Sequence, residues 1–160
     1  MSLFDKIKQG LTKTASALSG VFQGFTELDD DFYEDLSDIL IMNKRYPLRV
    51  TGKDSYEEAL LEISAWGPST VMCTLGEKGV LAVLDGKVRH FPAYQVKALD
   101  TTGCGDVFHG AFLVALLEGY SVEDAIRFSS AVSAIKCQRV GGRAGIPTMG
   151  ETLSFMKSNI

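Results

Sequence analysis

The chain has 160 residues, 46% hydrophobic and 22% charged, which is typical of a soluble globular protein with one core. Its net charge of −4 argues against nucleic acid as a general partner, because no basic surface dominates. No run reaches the roughly 18–20 apolar residues that span a bilayer, and no signal-peptide pattern opens the sequence. Its scattered cysteines, Cys73, Cys104 and Cys137, form no C-x-x-C pair and suit a reducing cytosol, so we expect a cytoplasmic protein.

Residues 2–25 carry an amphipathic helical pattern that three glycines interrupt, so we expect two short helices there. An acidic segment, TELDDDFYEDLSDIL (26–40), keeps apolar residues at helical spacing. The apolar positions of the first pattern are Leu3, Phe4, Ile7, Leu11, Leu18, Phe22 and Phe25, and the opposite side carries Lys6, Lys8 and Lys13.

From Ile39 onwards the pattern changes to alternating strands and helices. ILIMNKRYP predicts a short buried strand that ends at Pro47, and DSYEEALLEISAW predicts a helix capped by Asp54 or Ser55. STVMCTL (69–75) is rich in β-forming residues. VLAVLDGKVRHFP predicts two strands joined by the two-residue turn Asp85-Gly86.

Three more helices are predicted in the second half of the chain. They cover 106–118, the stretch from a Ser121–Asp124 capping box to about residue 139, and roughly 150–157. A glycine-rich loop, VGGRAGIP, separates the last two. The alternation of strands and helices over 39–160 predicts an α/β layered architecture.

The stretch DTTGCGDVFHGAF (100–112) holds the strongest functional signal. Small residues let backbone N–H groups converge at the start of a helix, where the helix dipole favours an anion such as phosphate. Asp106 at such a place is suited to accept a hydroxyl proton during phosphoryl transfer to an alcohol. The alternative is an ordinary strand-to-helix turn that Asp106 merely caps.

This stretch resembles the second signature of the ribokinase-like, or PfkB, carbohydrate kinases, DTxGAGD before an apolar helix. The resemblance implies that Asp106 is the general base and that Gly103, Cys104 and Gly105 form the anion hole for the γ-phosphate. It places Asp100 and Thr102 near a monovalent cation that orders the loop. It also implies a three-layer α/β/α fold, with ATP, Mg²⁺ and K⁺ as cofactors.

Two further segments extend the resemblance on either side. TLGEKGVLAV (74–83) is similar to the family's nucleotide turn, which implies that Thr74, Gly76 and Gly79 contact the nucleotide. RFSSAVSAIKCQRVGGRAGIPT (127–148) resembles the helix and loop that close over adenine and the cation, with Ser130 and Gly142 as lining residues. Read without the resemblance, the first is a strand connection and the second a packed helix with a glycine end.

One position departs from the family pattern. The family often carries Asn-x-x-Glu at the strand end that corresponds to ILIMNKRYP, where it organises the magnesium-bound phosphates. Asn43 is present here, but Tyr46 stands in place of the glutamate. A phenol does not replace a carboxylate beside a hard cation.

The N-terminal segment, 1–38, does not resemble the sugar-binding half of these kinases. It resembles instead the helical N domain of the bacterial signal recognition particle receptor, through FDKIKQGLTKT and DDDFYEDL. That receptor's G-x-x-x-x-G-K-[ST] loop is absent, so GTP hydrolysis is not expected. We therefore predict a composite chain, with a helical segment at 1–38 and a ribokinase-like nucleotide-binding portion at 39–160.

The function predicted by these resemblances is ATP-dependent phosphorylation of a sugar hydroxyl, with nucleotide and sugar as ligands. Without a sugar pocket we expect weakened ATP binding and little or no turnover by this chain. The alternative is a non-catalytic helical interaction or membrane-targeting module on an α/β scaffold, although membrane contact is not the main expectation. Missing strands would leave an exposed sheet edge, which favours a homo-oligomer.

Overall fold

The computed structural model describes residues 38–159. The helices predicted in the first 37 residues and the receptor-like segment lie outside this range, so those interpretations and the boundary at residue 38 stay predictions. The described elements are β1 (Ile39–Asn43), α1 (Tyr46–Thr51), α2 (Tyr56–Ser64), β2 (Thr70–Thr74), a 3₁₀ turn (Gly76–Lys78), β3 (Val80–Leu84), β4 (Lys87–Phe91), α3 (Cys104–Leu117), α4 (Val122–Lys136) and α5 (Met149–Ser158).

The four strands form one mixed sheet in the order β1-β2-β3-β4. β1 pairs parallel to β2, with Ile41 opposite Met72, whereas β2–β3 and β3–β4 are antiparallel. The parallel pair requires a crossover connection, which α1 and α2 provide. Among the described strands β1 and β4 lie at the two edges of the sheet, and the homo-oligomer expected from an exposed edge stays a prediction.

Side chains alternate along β2 between two hydrophobic cores, one on each face of the sheet. Met72 packs in the larger core with Phe108 and Phe112 of α3 and with residues of α4. Val71 and Cys73 point the other way and pack with Leu60 and Ile63 of α2. Helices therefore cover both faces, and the predicted three-layer α/β/α architecture is confirmed.

Local signals in the sequence fix most of the turns and caps. Asp85 and Gly86 both adopt positive φ, 52° and 70°, as the predicted two-residue hairpin requires. The Ser55 hydroxyl caps α2 by accepting from the Glu58 amide at 3.2 Å. At α4 the Ser121 hydroxyl likewise accepts from the Asp124 amide at 3.2 Å.

Two details of the sequence prediction were wrong. β1 ends at Asn43, and Pro47 lies in the first turn of the short helix α1, where its missing N–H does no harm. The reciprocal half of the Ser121 capping box is not formed, because the Asp124 carboxylate accepts from the Ser121 hydroxyl at 2.8 Å. The complete capping box lies instead at Thr148 and Glu151.

No helix in residues 38–159 is long and apolar enough to cross a membrane.

Candidate functional site

A groove of about 790 Å³ runs between the turn after β2 and the first turn of α3. Its walls come from four parts of the chain: the 74–80 segment, the extended segment 93–98, the start of α3 and one side of α4. The polar or charged side chains that line it include those of Lys44, Thr74, Lys78, Tyr94, Gln95, Thr101, Ser130 and Ser133.

The structure brings six of the sequence-predicted site residues together in this groove. They come from three separate segments and are Thr74, Gly76, Gly79, Cys104, Gly105 and Ser130. Gly142 lies near the same loop, because a Cβ placed on Gly103 would be 3.6 Å from the Gly142 carbonyl oxygen. Asp100, Thr102 and Asp106 do not line the groove itself. Six of the predicted residues thus line one groove, the others lie outside its lining, and the roles of all of them stay predictions.

The first turn of α3 supplies backbone donors at one end of the groove. Gly103 is the N-terminal cap residue, with φ of 76°, a left-handed conformation that glycine adopts readily. The Cys104 amide donates to the Thr101 carbonyl at 3.1 Å and is therefore engaged within the turn. Among residues 38–159 no acceptor takes the amides of Gly105 and Asp106, as is usual for the first turn of a helix. These two amides, more than that of Cys104, are available to an anion.

Asp106 follows directly on the exposed side of this first turn. Within the described residues its carboxylate makes no hydrogen bond or ion pair, and α3 has no side-chain cap. The alternative in which Asp106 merely caps the helix is therefore not what the geometry shows. The Asp106 carboxylate is thus exposed and unpaired beside the free amides of this turn.

Asp100 holds the loop that precedes α3. Its carboxylate accepts the Thr102 amide at 2.8 Å and the Gly141 amide at 2.8 Å. The hydrogen bonds from Gly141 and Thr102 are the main causes that lower the pKa of Asp100 to about 2, and the Lys136 charge adds to them. The carboxylate therefore stays ionised at any physiological pH and ties the loop to the segment after α4.

Lys136, the last residue of α4, is fully buried beneath this loop. Its ammonium group donates to the carbonyl oxygen of Asp100 at 3.1 Å and also to that of Thr102. These are the two residues that the sequence places near a monovalent cation. A buried charge requires such partners, since burial without them is strongly unfavourable.

The side chains of Cys104 and His109 both lie in α3 near its first turn. Burial raises the pKa of the Cys104 thiol, which keeps it protonated near neutral pH. The His109 Nδ1 atom lies 2.7 Å from the Gly105 carbonyl oxygen, one turn back in α3. His109 is therefore hydrogen-bonded to its own helix.

The two glycines of the 74–80 segment have different reasons to be glycine. At Gly79 (φ of 90°) an added Cβ would lie 2.0 Å from the Phe91 carbonyl oxygen, so the close approach of β4 excludes any side chain. Gly76 (φ of 65°) faces open space, with no atom within 4 Å of an added Cβ. The alternative of a simple strand connection accounts for both glycines, through the contact with β4 at Gly79 and the left-handed φ at Gly76, and Gly76 also leaves open space where a Cβ would lie.

The described residues do not form a magnesium site of their own. No group of three or more His, Cys, Asp or Glu side chains in residues 38–159 could hold a metal ion. The side-chain Oδ1 atom of Asn43 accepts from the Arg45 backbone amide at 3.0 Å, and Tyr46 begins α1 with 48% of its surface exposed.

Sequence reasoning missed several residues of the site. Lys44, Lys78 and the acidic Glu77 all line the groove, and Tyr94 contributes to its wall. In the sequence, Lys136 is notable only as a charged residue within the largely apolar run AVSAIKC. This pattern indicates that the lysine is buried and has a hydrogen-bond partner, but it does not identify the partner. The partners lie 34 and 36 residues away in sequence, beyond the reach of spacing arguments.

The fold is of the ribokinase-like α/β type, and comparison with known proteins establishes the family. The sequence profile described as "pfkB family carbohydrate kinase" matches residues 22–149. The chain therefore belongs to the PfkB family of carbohydrate kinases. The match begins upstream of the predicted junction at residue 38, and the receptor-like interpretation of 1–38 is not shown.

Individual relatives agree with this assignment. The chain is 41% identical over 127 residues to a ribokinase of Haemophilus influenzae, covering 76% of this chain and 42% of that protein. The crystal structure of Thermotoga maritima ribokinase superposes with a TM-score of 0.70 at 38% identity, covering 75% and 42% of the two chains. Arabidopsis thaliana ribokinase, solved with ribose and ATP, gives a TM-score of 0.68 at 31% identity, covering 75% and 41%. The chain thus spans about two fifths of the length of these relatives.

Proposed function

We propose that this chain binds Mg-ATP in the groove and supplies the phosphoryl-transfer half of a sugar kinase. The observation that carries the proposal is the convergence of three distant segments on one groove that ends at the free amides of α3. The family membership supports it, and so does the Arabidopsis relative that was solved with ribose and ATP.

The groove is suited to a nucleotide in both shape and charge. Its walls combine apolar surface from Val80, Val96 and Phe108 with polar groups, as cofactor sites commonly do. Lys44 and Lys78 add positive charge, and the N-terminus of α3 adds its dipole. The phosphates would lie towards α3, and the base towards the wall formed by Ser130 of α4.

The proposed reaction transfers the γ-phosphoryl group of ATP to a sugar hydroxyl. The hydroxyl proton passes to the Asp106 carboxylate while the hydroxyl oxygen forms a bond to the γ-phosphorus. The bond between that phosphorus and the bridging oxygen of ADP breaks, leaving ADP and a sugar phosphate. The amides of Gly105 and Asp106 stabilise the negative charge on the transferred group. Magnesium, carried by the nucleotide, neutralises phosphate charge.

Asp106→Asn separates binding from chemistry. Asparagine has nearly the same shape but cannot take the proton, so Mg-ATP affinity should stay within about threefold while sugar-dependent ADP release falls about 10²–10⁴-fold. The measurement is calorimetric titration with Mg-ATP together with an ADP-release assay on ribose. Glu118→Gln, at the other end of α3 and also exposed, is the matched control.

The two readouts address different parts of the proposal. Loss of Mg-ATP binding in both variants and in the unmodified chain, with the fold intact, would contradict nucleotide binding in the groove. Unchanged ADP release in Asp106→Asn would contradict the role of Asp106 as the base. Binding of Mg-ATP without sugar-dependent ADP release in the unmodified chain would limit the proposal to nucleotide binding.

A further inference from the structure

The loop that carries the anion site is attached to the end of α4 by two sets of hydrogen bonds. In one direction, the amides of Leu99 and Asp100 donate to the Cys137 carbonyl oxygen at 2.7 and 3.1 Å. In the other, the Lys136 ammonium group donates to the carbonyl oxygens of Asp100 and Thr102. The ammonium group therefore occupies the concave side of the loop, where its carbonyl oxygens converge.

A monovalent metal ion does not fit this arrangement. Such an ion binds by replacing its hydration shell with carbonyl oxygens. Here the carbonyls of Asp100 and Thr102 already accept from an ammonium group that carries the same single charge. A metal ion on these oxygens would lie against the buried Lys136 ammonium group, and the two positive charges would repel each other.

Displacing Lys136 to make room would be unfavourable. Its side chain has no exposed surface, and no buried side-chain nitrogen or oxygen in residues 38–159 lacks a hydrogen-bond partner. Its position at the C-terminal end of α4 is favourable for a positive charge, because the helix dipole is negative there. The Asp100 carboxylate, held by the amides of Thr102 and Gly141, adds a compensating negative charge nearby.

We propose that the Lys136 ammonium group is a built-in cation that orders the 100–103 loop, and that this chain needs no monovalent metal ion there. In this proposal the Lys136 ammonium group takes the place of the K⁺ ion that the family resemblance predicts near Asp100 and Thr102. The inference does not depend on the proposed kinase function, because the order of the loop can be measured without nucleotide.

The test compares thermal unfolding of the nucleotide-free chain in potassium, sodium and choline chloride at equal ionic strength. A specific ion that binds only the folded state raises the unfolding temperature with its concentration. We expect the unmodified chain to unfold at the same temperature in all three salts, within about 1 °C. A saturable rise in potassium over choline would overturn the proposal.

Two substitutions sharpen the result. Lys136→Ala removes the charge and leaves space beside the carbonyls, so the unfolding temperature should fall by roughly 5 °C or more and recover partly in potassium or ammonium but not in choline. Lys136→Met fills the space without a charge, so the unfolding temperature of this variant should also fall, and potassium or ammonium should not restore it. Lys157→Ala, an exposed lysine of α5, is the control and should behave like the unmodified chain.

Hydrogen exchange gives a local readout of the same loop. The Thr102 and Gly141 amides should exchange slowly in the unmodified chain whatever the salt, and faster in Lys136→Met. A Lys136→Met chain as stable as the unmodified one, with equally protected amides, would overturn the proposal. If neither substituted chain folds, the salt comparison on the unmodified chain still decides it.

Discussion

The turn at 75–79 and the loop at 100–105 both border the groove, yet different interactions hold them in place. The turn is fixed by steric contact, because the backbone of β4 passes so close to Gly79 that no side chain fits. The loop is fixed by charge, through the Asp100 carboxylate on one side and the Lys136 ammonium group on the other. Substitutions at the first should therefore act regardless of pH, whereas those at the second should depend on ionisation.

The largest effect is expected at Gly79. Gly79→Ala places a methyl group against the Phe91 carbonyl in a strained backbone conformation, which should destabilise the fold by about 4 kcal/mol or more. Gly76→Ala shares the positive φ but faces open space, so its cost should be about 1–2 kcal/mol. Urea unfolding of the two variants measures the difference. Equal losses would mean that the contact with β4 does not govern the turn.

The next effect is pH-dependent and belongs to the loop. The pKa of Asp100 is lowered to about 2, so its contribution to stability is present above the unfolded value near 4 and disappears as pH falls towards 2. Asp100→Asn should therefore be less stable than the unmodified chain at pH 7, with the difference vanishing at about pH 2. Urea unfolding from pH 2 to 7 measures this. A difference that does not depend on pH would contradict the electrostatic attachment.

The smallest effect is expected on the α4 wall of the groove. Ser130 is half-buried and offers a nucleotide one neutral hydroxyl, whose net hydrogen bond is worth about 0.5–1.5 kcal/mol. Ser130→Ala should therefore weaken Mg-ATP binding by about two- to tenfold in calorimetric titration. Ser154→Ala, on the exposed side of α5, is the control. If Ser130→Ala binds Mg-ATP as tightly as the unmodified chain, the nucleotide does not contact this wall.

The sequence predicts those features of the fold that depend on neighbouring residues. The Asp85-Gly86 turn and the Ser55 cap were confirmed because their geometry is set within four residues. The helix at Pro47 was missed, since proline after a strand signals a strand end and a first helical turn equally well. The Thr148–Glu151 capping box follows the T-x-x-E pattern, which lies directly after the glycine-rich loop.

The candidate site was predictable only in part, for a related reason. Its glycines and Asp106 belong to short motifs that the resemblance identifies. The requirement for glycine at position 79, by contrast, comes from the close approach of β4 at Phe91, which lies twelve residues later in the sequence. The role of Lys136 depends on carbonyl groups more than thirty residues earlier, and no local pattern names them.

The central claim is that nucleotide phosphates bind at the first turn of α3, and Gly105→Asp tests it most directly. Gly105 lies at that turn with no atom within 4 Å of an added Cβ, so a carboxylate fits there and should not destabilise the helix start. Its charge would repel phosphate. Gly110→Asp adds the same charge farther along α3, also in open space, and is the matched control.

Calorimetric titration with Mg-ATP should show at least about tenfold weaker binding for Gly105→Asp, a change of about 1.4 kcal/mol, and near-normal binding for Gly110→Asp. Binding that is equally strong in the unmodified chain and in both variants would contradict the claim that the start of α3 holds the phosphates.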